Sequence, residues 1–200
     1  MTDAVATAQA ADLGALLRPR SVAVIGASKD MGKFGGRVLK LLVQHGFAGA
    51  IYPINHARET LLGLPAYASV EATPAPPDLA VMAVPRNAVP DAVAACARAG
   101  TRAAIVITAR FSDAGEEGAA LEREIVKIAR EAGMRLVGPN CLGLVSPVNR
   151  LVLCSSPSLF DPNLSAGRIG LISSSGALMA TMLDRARTPR IGLSHAFSSG

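Results

Sequence analysis

Four glycines, Gly26, Gly32, Gly35 and Gly36, punctuate the stretch VAVIGASKDMGKFGG (22–36), and Ser28, Lys29 and Lys33 stand among them. Glycine lets the backbone come close to a phosphate oxygen, and unpaired N–H groups at the start of a following helix point at the anion. One hydroxyl and two ammonium groups add donors and positive charge. The chemistry open to these residue types is the holding of a phosphate-bearing ligand. A dinucleotide fingerprint would place G-x-G-x-x-G directly after a strand. Here a longer loop separates Gly26 from the G-x-x-G of Gly32 and Gly35.

Further on, YPINHARE (52–59) sets Asn55, His56 and Arg58 ahead of the late Glu59. An NAD site would want an early carboxylate there for the ribose diol. Asn55, His56 and Arg58 suit an extra ribose phosphate instead, at the 2′ position in NADP or the 3′ position in coenzyme A, and the pattern does not choose between them. A second glycine turn, Ser173-Ser174-Ser175-Gly176, lies between a strand-like and a helix-like run, an arrangement that can also take phosphate at a helix start. Cys141, in GPNCLG, has no general base that the sequence identifies, so a buried thiol is expected rather than a nucleophile. Cys96 is expected in the core and Cys154 in a connecting segment. His45 is expected near a helix end, His56 in a loop, and His195 as a structural residue just past a strand. These cysteines and histidines lack the spacing of a metal site, and none is expected.

The elements that must position these residues follow from hydrophobic periodicity. Strands are expected at 21–26, 49–55, 79–84, 103–108 and 134–138. Helices are expected from about Gly35, over AVPDAVAACARAG (88–100) with Asn87 as its cap, and over about 115–132. ETLLGLPAYASV (59–70) reads as loop and short turns, and EATPAPPD (71–78) as a linker. Each strand is almost continuously apolar, as where helices cover both faces of a parallel sheet. The fold class is therefore α/β, a Rossmann-like doubly wound parallel sheet whose ligand sits beyond the carboxyl ends of its strands. Residues 147–168 show no such unit. A strand, glycine turn, helix and strand then recur over 167–200 and read as an incomplete second unit, truncated or completed by a partner. The organisation expected is a flexible arm over 1–15, a first domain over 16–147, and a connector with the start of a second domain over 148–200.

Composition narrows the classes. The 200 residues are 50% apolar but only 4% aromatic, with 19 glycines, 13 prolines and a net charge of +5. That mix suits closely packed α/β layers. Without tryptophan or a long basic block, no nucleic-acid groove is expected, and the modest positive excess fits a small polyanion. Three scattered cysteines suit a reducing compartment. No apolar run reaches roughly 18 residues without a charge or breaker, so neither secretion nor membrane insertion is expected, and a cytoplasmic location is.

In order along the chain stand RPRSVAVIGASKDMGKFGGRVLKLL, YPIN, DLAVMAVP, AAIVITARFSDAGEEG, RLVGPNCLGLVSP and GRIGLISSSGAL. This series, over about 16–200, closely resembles the amino-terminal part of NDP-forming acyl-CoA synthetases, relatives of the succinyl-CoA synthetase alpha subunit. The resemblance implies a CoA-binding Rossmann-like domain followed by the start of a flavodoxin-like one. It implies that the loop with Gly26, Ser28, Lys29, Gly32, Lys33 and Gly35 holds the CoA phosphates, near Asn55 and Arg58. Val84 and Pro85 would line the pantetheine path, and Thr108, Ala109, Arg110 and Asn140 would stand near the thiol. Ser174, Ser175 and Gly176 would face a phosphate-handling centre.

In that family acid, ATP and CoA become acyl-CoA, ADP and phosphate, by way of a phosphorylated histidine in a serine-histidine-threonine run. None of His45, His56 and His195 has that context, so no catalytic residue is assigned. ATP and magnesium would enter only through an ATP-grasp domain or beta-type subunit. The chain is expected to bind CoA and to be inactive alone, in an enzyme that takes a small carboxylic acid or acyl phosphate. A CoA-sensing or scaffold module and an NADP-dependent oxidoreductase are the alternatives. Two positions depart from the family: Ala109-Arg110-Phe111 where AGF is usual, and SSSG where SQSG is usual. Arg110 could narrow the thiol end or pair with an acidic substrate.

Overall fold

The computed structural model describes residues 13–57, 59–187 and 189–200. The first twelve residues of the arm expected over 1–15 lie outside them, and its end is no loose arm: Gly14 and Ala15 open a short helix, and Ala15 is buried in the core. The elements run α1 (Gly14–Leu17), β1 (Ser21–Ile25), α2 (Phe34–Gln44), β2 (Ala50–Ile54), a minimal hairpin of β3 (Thr60–Leu61) and β4 (Leu64–Pro65), β5 (Leu79–Met82), α3 (Val89–Arg98), β6 (Ala103–Val106), α4 (Glu116–Glu131) and β7 (Arg135–Val137). A second series follows: β8 (Gly143–Ser146), β9 (Leu151–Cys154), β10 (Ala166–Ser173), α5 (Gly176–Arg187) and β11 (Leu193–Ser198).

Five parallel strands in the order β2-β1-β5-β6-β7 form the first sheet. Val22 pairs with Ile51 on one side and with Leu79 on the other. The uninterrupted apolar runs of β1, β5 and β6 are buried throughout because both faces are covered. Val22, Val24, Val81 and Ile105 face Val38, Leu39 and Leu42 of α2 and the short α1. Ala23, Ile25, Met82 and Val106 face Val89, Val93 and Cys96 of α3 and Ile125 and Ala129 of α4. Alternation with period two along the strands, against period 3.6 along the helices, makes the doubly wound sandwich.

At the amino end of the sheet a buried carboxylate acts as a staple. Asp78 accepts from the Arg20 N–H at 2.8 Å, Arg20 Nε at 3.2 Å and Arg102 Nη2 at 2.8 Å. Burial pushes this carboxyl up, but the hydrogen bonds from Arg20 and Arg102 outweigh it and hold it below the usual carboxylate range.

Three local expectations need correction. Asn87 is not the cap of α3: a 3₁₀ turn over Arg86–Ala88 precedes the helix, Ala88 holds the cap position, and Asn87 Oδ1 accepts from Arg86 Nε at 3.2 Å. Cys154 is no connector residue but the fully buried end of β9. His195 lies inside β11, opposite Gly170, stacked on Phe197.

The stretch around 143–154 holds an antiparallel hairpin that hydrophobic pattern did not reveal, because Pro147, Asn149 and a left-handed Arg150 (φ 51°) split it into two short runs. This hairpin joins the strand–helix–strand unit in a four-stranded sheet of order β10-β11-β8-β9, with β10 and β11 parallel and β8 antiparallel to both neighbours. One face, with Leu144, Leu151 and Leu153, packs into the core that α2 shares with the first sheet. The other, with Val145, Val152 and Ala196, packs on Met179 and Leu183 of α5 and on Leu41 of α2.

Candidate ligand-binding cleft

Between β1 and β5 the chain reverses its direction of travel across the sheet, and there a doubly wound fold opens a crevice at its carboxyl edge. A cleft of about 380 Å³ lies at this point. The β1–α2 loop lines it with Gly26, Gly32 and Lys33, the first turn of α2 with Arg37, the end of β5 with Val84 and Pro85, and the end of β6 with Thr108 and Ala109. One end is cationic and the other mostly apolar.

The glycines shape the crevice by close packing. Gly26 has φ 83°, and a Cβ there would lie 2.5 Å from the Ala83 carbonyl oxygen. A Cβ on Gly35 would lie 2.0 Å from the Gly26 carbonyl oxygen, and one on Gly36 2.1 Å from that of Asp30. These residues let the start of α2 sit directly on the loop. Within the loop the Asp30 N–H donates to Ser28 Oγ at 3.0 Å and the Gly32 N–H to Asp30 Oδ1 at 2.8 Å. Helix α2 has Lys33 at its cap position without a side-chain cap bond, and its first turn carries no acidic residue. Its first N–H groups and dipole therefore favour an anion.

The residues predicted from sequence separate into groups. Gly26, Gly32, Lys33, Val84, Pro85, Thr108 and Ala109 come together on the cleft. Ser28 and Gly35 build the loop behind it. Lys29 lines a different hollow, with Met31, Lys40 and Leu62, on the outer side of α2. Asn55 joins neighbouring loops, its Nδ2 donating to the Ala27 carbonyl at 2.8 Å and its Oδ1 accepting from the Ala57 N–H at 2.9 Å. Arg58 lies outside the described residues. Thr108 Oγ1 donates to the Val84 carbonyl at 2.7 Å, joining the β5 and β6 loops. Arg110 (φ 73°) and Asn140 (φ 57°) are exposed just past Ala109, and the Asn140 N–H donates to the Thr108 carbonyl at 3.0 Å.

Sequence reasoning missed Arg37. Its Nη2 donates to the Gly32 carbonyl at 3.0 Å, its Nη1 to the Ser155 carbonyl at 3.1 Å, and its guanidinium lies 4.9 Å from the centre of the Phe34 ring. It thus ties the loop to the second sheet. Its place in the first turn of the helix after the glycines was the available signal.

The second glycine turn approaches the same region. Leu142 contacts the Gly176 position, and its N–H donates to Ser198 Oγ at 3.0 Å. Ser175 Oγ accepts from the Leu178 N–H at 3.2 Å and so caps α5, while Ser173 Oγ accepts from the Ser175 N–H at 3.1 Å. The exposed Ser174 hydroxyl makes no hydrogen bond to the described residues. Burial pushes the Cys141 thiol up to about 12, and its Sγ donates to the Val106 carbonyl at 3.3 Å, so it is a packed group and not a ready nucleophile. Among the described residues no group of three or more His, Cys, Asp or Glu could hold a metal ion, and no helix is long and apolar enough to cross a membrane.

Comparison with known proteins places this geometry in context. The profile CoA_binding_2, described as a CoA binding domain, matches residues 20–147. The chain is 37% identical over 191 residues to acetate–CoA ligase [ADP-forming] II of Archaeoglobus fulgidus, covering 94% of this chain and 28% of that protein. It is 38% identical to the alpha subunit of acetate–CoA ligase [ADP-forming] II of Pyrococcus furiosus, covering 91% and 38% respectively. Among solved structures, the dinucleotide forming acetyl-coenzyme A synthetase 1 of Ca. Korarchaeum cryptofilum, in complex with phosphate and ADP, superposes with a TM-score of 0.88 at 37% identity, over 94% of this chain and 39% of that one. The chain thus spans well under half the length of each of these relatives.

Proposed function

This chain belongs to the CoA binding domain family, and from that membership we propose that its cleft delivers coenzyme A to an acid–thiol ligase that forms acyl-CoA with cleavage of ATP to ADP and phosphate. One observation carries the proposal. The cleft joins a cationic, glycine-built end at Lys33 and Arg37 to an apolar end at Val84, Pro85 and Ala109. Coenzyme A has the same division, with phosphates at one end and the neutral pantetheine arm at the other. The residues present therefore fit the ligand.

In this reading Lys33, Arg37 and the first N–H groups of α2 hold the phosphates. Val84 and Pro85 exclude water along the arm, and Thr108, by bonding to Val84, fixes the width of the path. Ser28, Gly35 and Asn55 support the loop from behind. Coenzyme A supplies the reacting thiol, and the chain's own part is to bind and aim it. The loop over 138–142 directs that end toward Ser174 and the start of α5, where an acyl phosphate or a phosphoryl group would be received. An ATP-grasp domain or beta-type subunit would provide nucleotide and magnesium, and a small carboxylic acid would be the co-substrate.

Calorimetric titration with CoA, dephospho-CoA, NADP and NAD tests the core of this proposal. CoA should bind more tightly than the other three. Binding of NADP without binding of CoA would overturn it in favour of an oxidoreductase.

A further inference from the structure

We propose that Arg110 selects an acyl group ending in a carboxylate, so that the co-substrate is a dicarboxylic acid; the inference rests on coenzyme A occupying the cleft. Along the carboxyl edge of the first sheet the loops succeed one another in the order β1, β5, β6, β7. Neighbouring strands are about 4.8 Å apart, which puts the loop after β6 about 10 Å from the β1–α2 loop and the loop after β7 about 14 Å away. A ligand anchored by its phosphates at Lys33 and running past Val84 and Pro85 therefore ends between residues 108–110 and 138–140.

Two non-glycine residues with left-handed backbone, Arg110 and Asn140, stand at that end. This conformation is disfavoured for arginine, far less so for asparagine, and in arginine it persists where surrounding bonds over-determine it. Here they do. Arg86 Nη1 donates to the Arg110 carbonyl at 3.1 Å, and Arg86 Nη2 is itself held by Glu117 Oε1 at 2.9 Å. The next residue, Phe111, is buried. The backbone under Arg110 is fixed while its side chain is exposed. Among the described residues no hydrogen bond or ion pair engages the Arg110 guanidinium or the Asn140 side-chain amide. A guanidinium takes a carboxylate through two parallel hydrogen bonds, and an amide can add a third. A neutral acyl chain would leave both groups to water and gain nothing from them.

The test compares two thioesters of similar length, butyryl-CoA and succinyl-CoA, which differ at the far end of the acyl chain. Binding to the 200-residue chain is measured by calorimetry at low and high salt, with free CoA as reference. At low salt the succinyl thioester should bind about threefold to tenfold more tightly than the butyryl one, and the preference should shrink as salt screens the pair. Arg110→Gly, which suits the left-handed backbone, should remove the preference by weakening succinyl-CoA alone. Arg110→Lys should keep part of it. Equal affinities in the unmodified chain, or an unchanged preference in Arg110→Gly, would overturn the inference while leaving CoA binding intact. No binding of free CoA would overturn the reading beneath it, and this inference with it.

Discussion

Replacing Gly35 by alanine should damage both the fold and the cleft. A Cβ at this position would lie 2.0 Å from the Gly26 carbonyl oxygen and 2.8 Å from its carbon, both backbone atoms at the end of β1. Neither can rotate away, so the start of α2 must retreat by about 1 Å to reach a tolerable contact. Such overpacking costs about 1–3 kcal/mol. Alanine is a better helix former than glycine by up to about 1 kcal/mol, which offsets part of it. A net loss of about 1–2 kcal/mol should appear as a lower urea midpoint, by on the order of 0.5–1 M for an ordinary m-value. Because the same retreat moves the N–H groups facing the cleft, CoA affinity should fall by about tenfold or more. Gly32→Ala is the control. Its Cβ would meet only the movable tip of Asp30, at 3.1 Å, and should cost little stability. Wild-type stability and wild-type CoA affinity in Gly35→Ala would refute the packing argument.

Other outcomes follow from the same geometry. Lys33→Ala should weaken CoA binding by about threefold to tenfold at low salt and less at high salt, because Lys33 is exposed and its attraction is screened; a constant unchanged at low salt would place Lys33 outside the site. Asp78→Asn should lower stability by about 1–2 kcal/mol while leaving CoA affinity alone, since Asp78 sits at the opposite edge of the sheet. As the folded-state pKa of Asp78 is lowered, its contribution is complete above the unfolded value near pH 4 and is lost as pH falls further; acid unfolding curves of Asp78→Asn should therefore be flatter in that range. Burial pushes Cys96, Cys141 and Cys154 each up to about 12, so native protein at pH 8 should resist iodoacetamide and react at all three thiols only after denaturation, and fast native labelling of Cys141 would contradict its packed role.

The first sheet was legible in the sequence because its signals are local. Apolar runs ending at Gly26, Pro85 and Gly138 mark strands, and Gly100 closes α3 with φ 82°. The glycine loop likewise announced the ligand class. What sequence did not carry was partnership across distance. Lys29 and Lys33 are four residues apart, yet the helix start sends one to the outer side and the other to the cleft. Gly35 packs directly on the Gly26 carbonyl, a contact that no local pattern in the sequence carries. The β8–β9 hairpin stayed hidden because each run is short and its stability comes from β11, about forty residues later.

Helix α2 belongs to two cores at once. Val38, Leu39 and Leu42 lie against the first sheet, Leu41 lies with the residues around α5, and β9 packs along the same helix. Neither sheet can lose this helix without uncovering apolar surface in the other. The energetic unit is thus larger than either sheet, and heat should take both down in one calorimetric transition. Cooperativity of this kind makes the cleft-lining start of α2 as rigid as the least stable of the two layers allows, and it makes a disturbance in the second sheet measurable as altered hydrogen exchange in the first.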